Sequence, residues 1–433
     1  MSGLGLEEGD KKMKVEATVS IALLVLCSVS VFRFGFSFGA ADSSSGSGSL
    51  TVQSTIDWWP MFQHDLSHTG FSSSIAPNTN HTVWTSRPGG SFDWSSAAVV
   101  DGAVYIGDND GWVYNLNSTT GAVVWKSLIT GIVESSPAVA DGVVYVGSLS
   151  SRLFALNAST GEQIWNYTTG DNVHPSPAVA YGKVYVGSWD SRVYALNAST
   201  GEQVWNYTTG SIVLSSPAVV DGAVFIGSGD RNVYALNAST GERLWNYTTG
   251  DPVYSSPSVV DGRVYVGSLD GKAYALNATD GQLMWSQEIG PVGLSSPAFS
   301  EGTVYIGSND HKVYALNAST GTPIWNYTTG NDVSSAPAVA GGMVFVGSYD
   351  YNVYGLNAST GVRMWSYETG DGVSSSPVVV NGTVFIGSED GSFYAFGPEP
   401  VIPEFPSFLI LPLFMLATLA TVVVWKRKRF NFS

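Results

Sequence analysis

Four sets of residues in this 433-residue chain have the types and spacing that chemistry uses. Asp110, Asp190, Asp230, Asp270, Asp310, Asp350 and Asp390 fall on one register and could form a ring of carboxylates for cations. The alternative is that each Asp stabilises a tight turn through bonds to its own backbone. His64 and His68 stand four apart, as paired metal ligands on a helix would. Nothing around them signals a helix, which favours a structural placement. A third set is one register position that refuses to repeat: Trp94, Glu134, His174, Leu214, Tyr254, Leu294, Ser334 and Ser374. Aromatics with scattered polar groups suit sugars, peptides or small apolar ligands. Last are the Asn-x-Ser/Thr sequons, with Asn166, Asn206, Asn246 and Asn326 as candidate glycan acceptors. Those at Asn117 and its equivalents read equally well as turn-formers that happen to spell a sequon.

A repeat must position these residues. Trp125, Trp165, Trp205, Trp245, Trp285, Trp325 and Trp365 follow one another at intervals of 40 without slippage. Around each runs one unit, for example Ser176-Pro177-Ala178-Val179, then GKVYVGS (182–188), VYALNAST (193–200) and GEQVWNY (201–207). Short β-branched and aromatic runs alternate with Asp-Gly, Ser-x-Asp and Asn-Ala-Ser-Thr-Gly, all of it turn chemistry. Each unit therefore reads as four strands, A to D, and a period near 40 with four strands is a propeller blade. The B-strand motif starts eight times, at Val104, Val144, Val184, Val224, Val264, Val304, Val344 and Val384. The last unit ends at Phe396 without its Trp strand, while an orphan, His81-Thr82-Val83-Trp84, precedes the first. That orphan should supply the missing D strand and close the ring, hiding both edges. The expected fold is all-β: an eight-bladed propeller of four-stranded blades, closed by an N-terminal strand.

The string Ala-Leu-Asn-Ala-Ser-Thr-Gly-x-x-x-Trp resembles the tryptophan-docking motif of propellers related to pyrroloquinoline-quinone (PQQ) enzymes. The resemblance covers about 320 residues. It implies that Trp84 and the seven Trp above each pack on the adjoining blade's backbone. The segment from Trp59 to Gly70 likewise resembles the lead-in of such propellers. The family's enzymes carry long insertions, calcium ligands, a catalytic Asp and in several cases a vicinal disulfide. Here every repeat is near minimal length and the single cysteine is Cys27, so no PQQ, calcium or other metal site and no catalytic residue is assigned. The chain resembles the propeller lipoprotein of outer-membrane protein assembly in repeat type only.

The ends read as addresses. Lys11, Lys12 and Lys14 precede an apolar run from Val19 to Phe32 and the small residues Gly39-Ala40-Ala41, the order of a signal peptide or an uncleaved N-terminal membrane segment over 1–41. A Ser/Gly linker (42–57) and the lead-in (58–77) precede the propeller (78–397), and a Pro-rich linker (398–407) follows it. Phe408 to Trp425 is 18 residues without a charge, roughly 27 Å as a helix, so 408–425 reads as a transmembrane helix. The basic tail (426–433) should stay cytoplasmic and leave the propeller outside. Pro403-Glu404-Phe405-Pro406-Ser407 resembles the PEF-type C-terminal sorting signals of archaeal surface proteins, which implies processing by a sortase-like enzyme.

Between Asp42 and Ser407 stand 11 Lys/Arg against 31 Asp/Glu, a balance of −20. Such a surface repels phosphate backbones, which excludes nucleic acid as a natural partner. Strands alternate in direction, so D–A and B–C loops share one rim, A–B and C–D loops the other. Differences between repeats concentrate on the first rim, as on a binding face carried by a rigid scaffold. A strands line the channel in this topology, so Trp94, Glu134, His174 and Tyr254 should ring its mouth. The B–C tips Trp112, Trp189, His311, Tyr349 and Tyr351 are expected farther out. The function expected is a monomeric, non-catalytic cell-surface binding or scaffold module for a glycan, peptide or protein. The alternatives are a PQQ-dependent oxidoreductase of alcohols or sugars and a structural coat component without a ligand.

Overall fold

Each 40-residue unit folds as its turns dictate. At the A–B turn both central residues take positive φ, as in Asp101 (51°) and Gly102 (77°), the two-residue hairpin turn whose twist matches the flanking strands. At the C–D turn Asn197 Oδ1 accepts from the N–H groups of Ser199 and Thr200 at 2.9 and 3.0 Å, and Gly201 turns the chain at φ 73°. The result, in the computed structural model, which describes residues 56–398, is eight antiparallel sheets. Blade 1 comprises Ala98–Val100, Ala103–Gly107, Trp112–Asn117 and Val123–Leu128, and the others repeat it at 40-residue steps. The segments expected at 1–41, 408–425 and 426–433 lie outside the described residues, as do the linkers expected at 42–57 and 398–407 except for residues 56, 57 and 398. Among the described residues no helix is long and apolar enough to cross a membrane.

The ring closes as the repeats require. Strand β2 (Thr82–Ser86) pairs antiparallel with Phe393–Phe396, the last C strand, and becomes the outer strand of blade 8. The D strands carry a bulge at the residue before the Trp, which leaves Val204 exposed and turns Trp205 inward. Each indole then docks on the next blade: Trp125 Nε1 donates to Ala158 O at 2.9 Å, Trp245 to Ala278 O at 2.9 Å, and Trp84 to Ser118 O at 2.9 Å. The ring face lies on the next blade's turn glycine, so a Cβ built at Gly241 would stand 2.7 Å from Trp205. The repeat after Trp365 ends at Phe396 without its C–D turn, so Trp365 donates to Pro77 O instead, at 3.2 Å. Hydrophobic clusters accordingly sit between consecutive blades, as with Trp205 and Val213 against Tyr234 and Leu236.

A second girdle of bonds runs nearer the hub. Ser96 N–H donates to Ser136 Oγ, Ser136 to Ser176, Ser176 to Ser216, Ser216 to Ser256 and Ser256 to Ser296, each at 2.8–3.0 Å. Ala336 donates to Ser376 and Ser376 back to Ser96. The link from Ser296 to residue 336 is missing, because Ala336 has no oxygen to offer.

The lead-in does more than precede the ring. It threads the channel and caps the A strands with its carbonyls: Trp59 exchanges bonds with Val99, and Pro60, Leu66, Ser67, Thr69 and Gly70 accept from Val139, Val219, Val259, Phe299 and Val339 at 2.7–2.8 Å. Strand β1 (Phe71–Ser72) then runs parallel to the A strand of blade 7. The lead-in thus plugs the channel from the A–B rim. Both ends of the described chain lie on that rim, with Asp57 held by Ser73 and Gly397 N–H donating to His81 O.

Candidate ligand site at the channel mouth

With one end plugged, the channel is a funnel open on the D–A rim. Its wall is built by the eight non-repeating residues, Trp94, Glu134, His174, Leu214, Tyr254, Leu294, Ser334 and Ser374, and its floor by Phe62 of the plug. The girdle serines Ser176, Ser216, Ser256 and Ser376 lie just beneath. The enclosed part of this space is small, about 40 Å³, and it widens to open solvent at the mouth.

The wall has two sides. Blades 4 to 6 contribute Leu214, Tyr254 and Leu294, which are apolar but for one hydroxyl. Blades 7, 8, 1, 2 and 3 contribute polar and aromatic groups. Trp94 and His174 stand with ring centroids 5.6 Å apart, and Trp189 stacks on the far side of His174 at 6.3 Å. Glu134 Oε2 lies 3.5 Å from His174 Nε2. Ser374 Oγ accepts from Trp94 N–H at 3.2 Å and donates to Glu389 at 2.7 Å. Trp189 and Tyr349 do not line the cavity: Trp189 stands behind His174, and the Tyr349 ring packs beside Gly372 and Glu389. Trp112 stays outside, under Lys126 Nζ at 4.3 Å. His311, near Asp332, and Tyr351 are exposed.

Trp94 sits at φ 54°, a left-handed conformation rare for a bulky residue and a place where strain is stored. Its loop is one residue out of step with most of its fellows, a slip shared with blade 6, where Val292 takes the core position. Phe92, not residue 93, fills the core position that Val133, Val173 and Val213 take elsewhere, which leaves Asp93 and Trp94 to be accommodated at the mouth. The ionisable groups are perturbed in keeping with the wall. Burial first, and the charge of Asp93 second, push the Glu134 carboxyl up to about 7. Burial holds His174 neutral, with its pKa lowered to about 4.

The other candidates resolve into structure. Asp190, Asp230, Asp270, Asp350 and Asp390 each accept from a Gly N–H in their D–A loop and from the Tyr hydroxyl four residues on, as Tyr234 does to Asp230 at 2.7 Å. Asp310 keeps the Tyr314 bond, and in blade 1 Asp108 takes Tyr114 instead of Asp110. These carboxylates are spent within their own blades. His64 and His68 take different partners: His64 Nε2 meets Asp57 at 3.0 Å, while His68 is buried with Nδ1 on Pro257 O at 3.1 Å. The sequon residues Asn166, Asn206, Asn246 and Asn326 are exposed on outer strands. Those of the turns, such as Asn157 and Asn197, use Oδ1 to cap the turn.

Known structures share this architecture. BamB from Moraxella catarrhalis is 22% identical with a TM-score of 0.66, over 73% of this chain and 99% of that one. A europium-containing methanol dehydrogenase is 16% identical with a TM-score of 0.68, over 79% and 98%. The quinohemoprotein alcohol dehydrogenase of Comamonas testosteroni is 18% identical with a TM-score of 0.69, over 80% and 82%. The shared fold is an eight-bladed β-propeller. A family model described as the β-propeller of the beta-alanine-activating enzyme matches residues 133–340 of it. A search of curated proteins gives no match. At these identities the shared propeller is a likeness of fold, and it includes both enzymes and BamB, so chemistry has to be argued from the funnel itself.

Proposed function

We propose that the propeller is a non-catalytic binding module that takes its ligand in the funnel. One observation carries this reading: the eight positions where the repeats diverge converge on a single cavity, at whose lip Trp94 is held in a strained conformation. A residue serving blade packing recurs in every blade, as the docking Trp does, whereas these do not. The funnel does not suit the cofactor its fold relatives suggest. PQQ is a tricarboxylate, and the cavity lining offers Glu134 and no Lys or Arg. Among the described residues no three His, Asp, Glu or Cys side chains gather as metal ligands would.

The propeller is displayed outside the cell, anchored by 408–425 and glycosylated at exposed outer-strand asparagines. In support, the described chain begins and ends on the rim opposite the funnel, which leaves the mouth free of both connections. The test is a binding screen of the purified full-length protein against neutral sugars, peptides, amines, and PQQ with calcium, read by tryptophan fluorescence. Saturable binding of a sugar, peptide or amine supports the module, and stoichiometric PQQ uptake with dye-coupled alcohol oxidation overturns it.

A further inference from the structure

The charge at the funnel mouth narrows its ligand. Glu134 lines the funnel, Glu389 accepts from Ser374 of its wall at 2.7 Å, and Asp93, next to Trp94, accepts from Asn109 Nδ2 at 2.5 Å. Burial first, and the charge of Asp93 after it, raise the pKa of both glutamates. No positive charge answers them. None of the D–A loop segments 88–96, 129–136, 169–176, 209–216, 249–256, 289–296, 329–336 and 369–376 contains Lys or Arg. The basic residues of this rim include Arg87, held by Ser392 and 4.0 Å from Asp390, and Arg152, Arg192, Arg231, Lys272 and Lys312 at or beside the start of C strands. His174, the one imidazole in the wall, is 8% exposed, makes no hydrogen bond, and is kept neutral by burial. Among the described residues Glu134 therefore has no Lys or Arg counter-ion, and its one close basic neighbour is His174 Nε2 at 3.5 Å.

The unmet hydrogen bonds point the same way. Asp93 Oδ1 and Asn109 Oδ1 are buried acceptors without a donor, and Trp94 Nε1 and Trp189 Nε1 are buried donors without an acceptor. Buried polar atoms are rarely left so unless something else completes them. Trp189 is stacked on His174, while Trp94 lies tilted against it in the funnel wall with Glu134, and indole faces attract organic cations.

Resting on the reading of the funnel as a ligand site, we propose that it recognises a protonated primary amine carried on an oxygen-bearing body, the chemistry of an amino sugar. The ammonium group meets Glu134 and Asp93, and the ligand's oxygens accept from the indole N–H groups. Charge-assisted hydrogen bonds of this kind are roughly twice as strong as neutral ones. The groups facing Glu134 that carry charge or titrate are Asp93, His174 and, through Asp93, Glu389. With His174 neutral, ionisation of Glu134 is the step that matters, so affinity should rise with pH from 5 towards 7.

The experiment compares glucosamine, glucose and n-butylamine on the full-length protein by calorimetry. Glucosamine should bind at least about ten-fold more tightly than glucose, the scale of one charge-assisted contact, and more tightly than butylamine, which lacks the oxygens. Glu134→Gln should remove most of that advantage while leaving glucose within two-fold and the melting temperature unchanged. Glucose binding as well as glucosamine, with both lost in Trp94→Ser/Tyr254→Ser, would overturn the amine while keeping the funnel as the site. Glucosamine binding that Trp94→Ser/Tyr254→Ser leaves intact would overturn both.

Discussion

Trp84 is where the ring is joined, and its removal should show what closure is worth. The side chain is 9% exposed, lies on Gly121 of blade 1, donates to Ser118 O at 2.9 Å, and meets Phe385 and Phe393 at 5.9 and 6.1 Å between ring centroids. Truncating a buried Trp to Ala costs about 3–5 kcal/mol, and about 1 kcal/mol of that is the hydrogen bond. Against a usual domain stability of about 5–15 kcal/mol, Trp84→Ala is a severe lesion, while Trp84→Phe, which keeps a ring and loses only the donor and some area, should cost about 1–2 kcal/mol. Urea denaturation measures both. Limited proteolysis should cut Trp84→Ala within 378–397 first, because among the described residues β2 is the strand that pairs with the outer edge of Phe393–Phe396. Deleting 78–87 altogether should cost at least as much. A Trp84→Ala loss below about 1 kcal/mol, with no new cleavage in blade 8, would refute closure by this strand.

Three further outcomes follow from the packing. Ala336→Ser supplies the missing oxygen of the inner girdle and should stabilise the ring by about 0.5–1.5 kcal/mol in urea titration. Blade 2 has Ser150 and Phe154 where the others have the Asp–Tyr pair, so Ser150→Asp with Phe154→Tyr should show a favourable coupling of about 1 kcal/mol that neither single change has. His68 is buried with its pKa lowered to about 4, so the unfolded chain binds the extra proton between pH 6.5 and 4. Stability from this group is present above pH 6.5 and is lost as pH falls towards 4, at roughly 1.4 kcal/mol per unit. His68→Asn keeps a residue tolerant of the left-handed φ of 55° and removes the titration, so its stability relative to the parent should improve over that window.

What the sequence made legible was whatever recurs. Eight B-strand starts, the 40-residue Trp register and the orphan Trp84 led to eight blades and their closure, because each docking Trp needs the same turn glycine and carbonyl ahead of it. The plug was not legible, since the lead-in has no period and works through main-chain carbonyls in a segment where Gln63, His64 and His68 take positive φ. The girdle was written in Ser96, Ser136 and their equivalents, with Ala336 as the break, but as small residues before the A strand they read as turn composition. The convergence of Trp94, Glu134, His174 and Tyr254 followed from topology. The contact of Trp189 with His174 did not, because it depends on how a B–C tip packs on its D–A loop. Asp93 and the strain at Trp94 come from a one-residue slip against the Val133 register, visible only once Phe92 is seen in the core.

The account stands or falls on the funnel as a binding site. The direct measurement is a tryptophan-fluorescence titration of the full-length protein and of Trp94→Ser/Tyr254→Ser, using the residue already present at 334 and 374, with glucosamine as probe. The account predicts saturable binding in the parent. In the double variant affinity should fall by about 1–3 kcal/mol for each aromatic lost, while the melting temperature stays within a few degrees. Unchanged affinity in the double variant, or a collapse of its melting temperature, would contradict it.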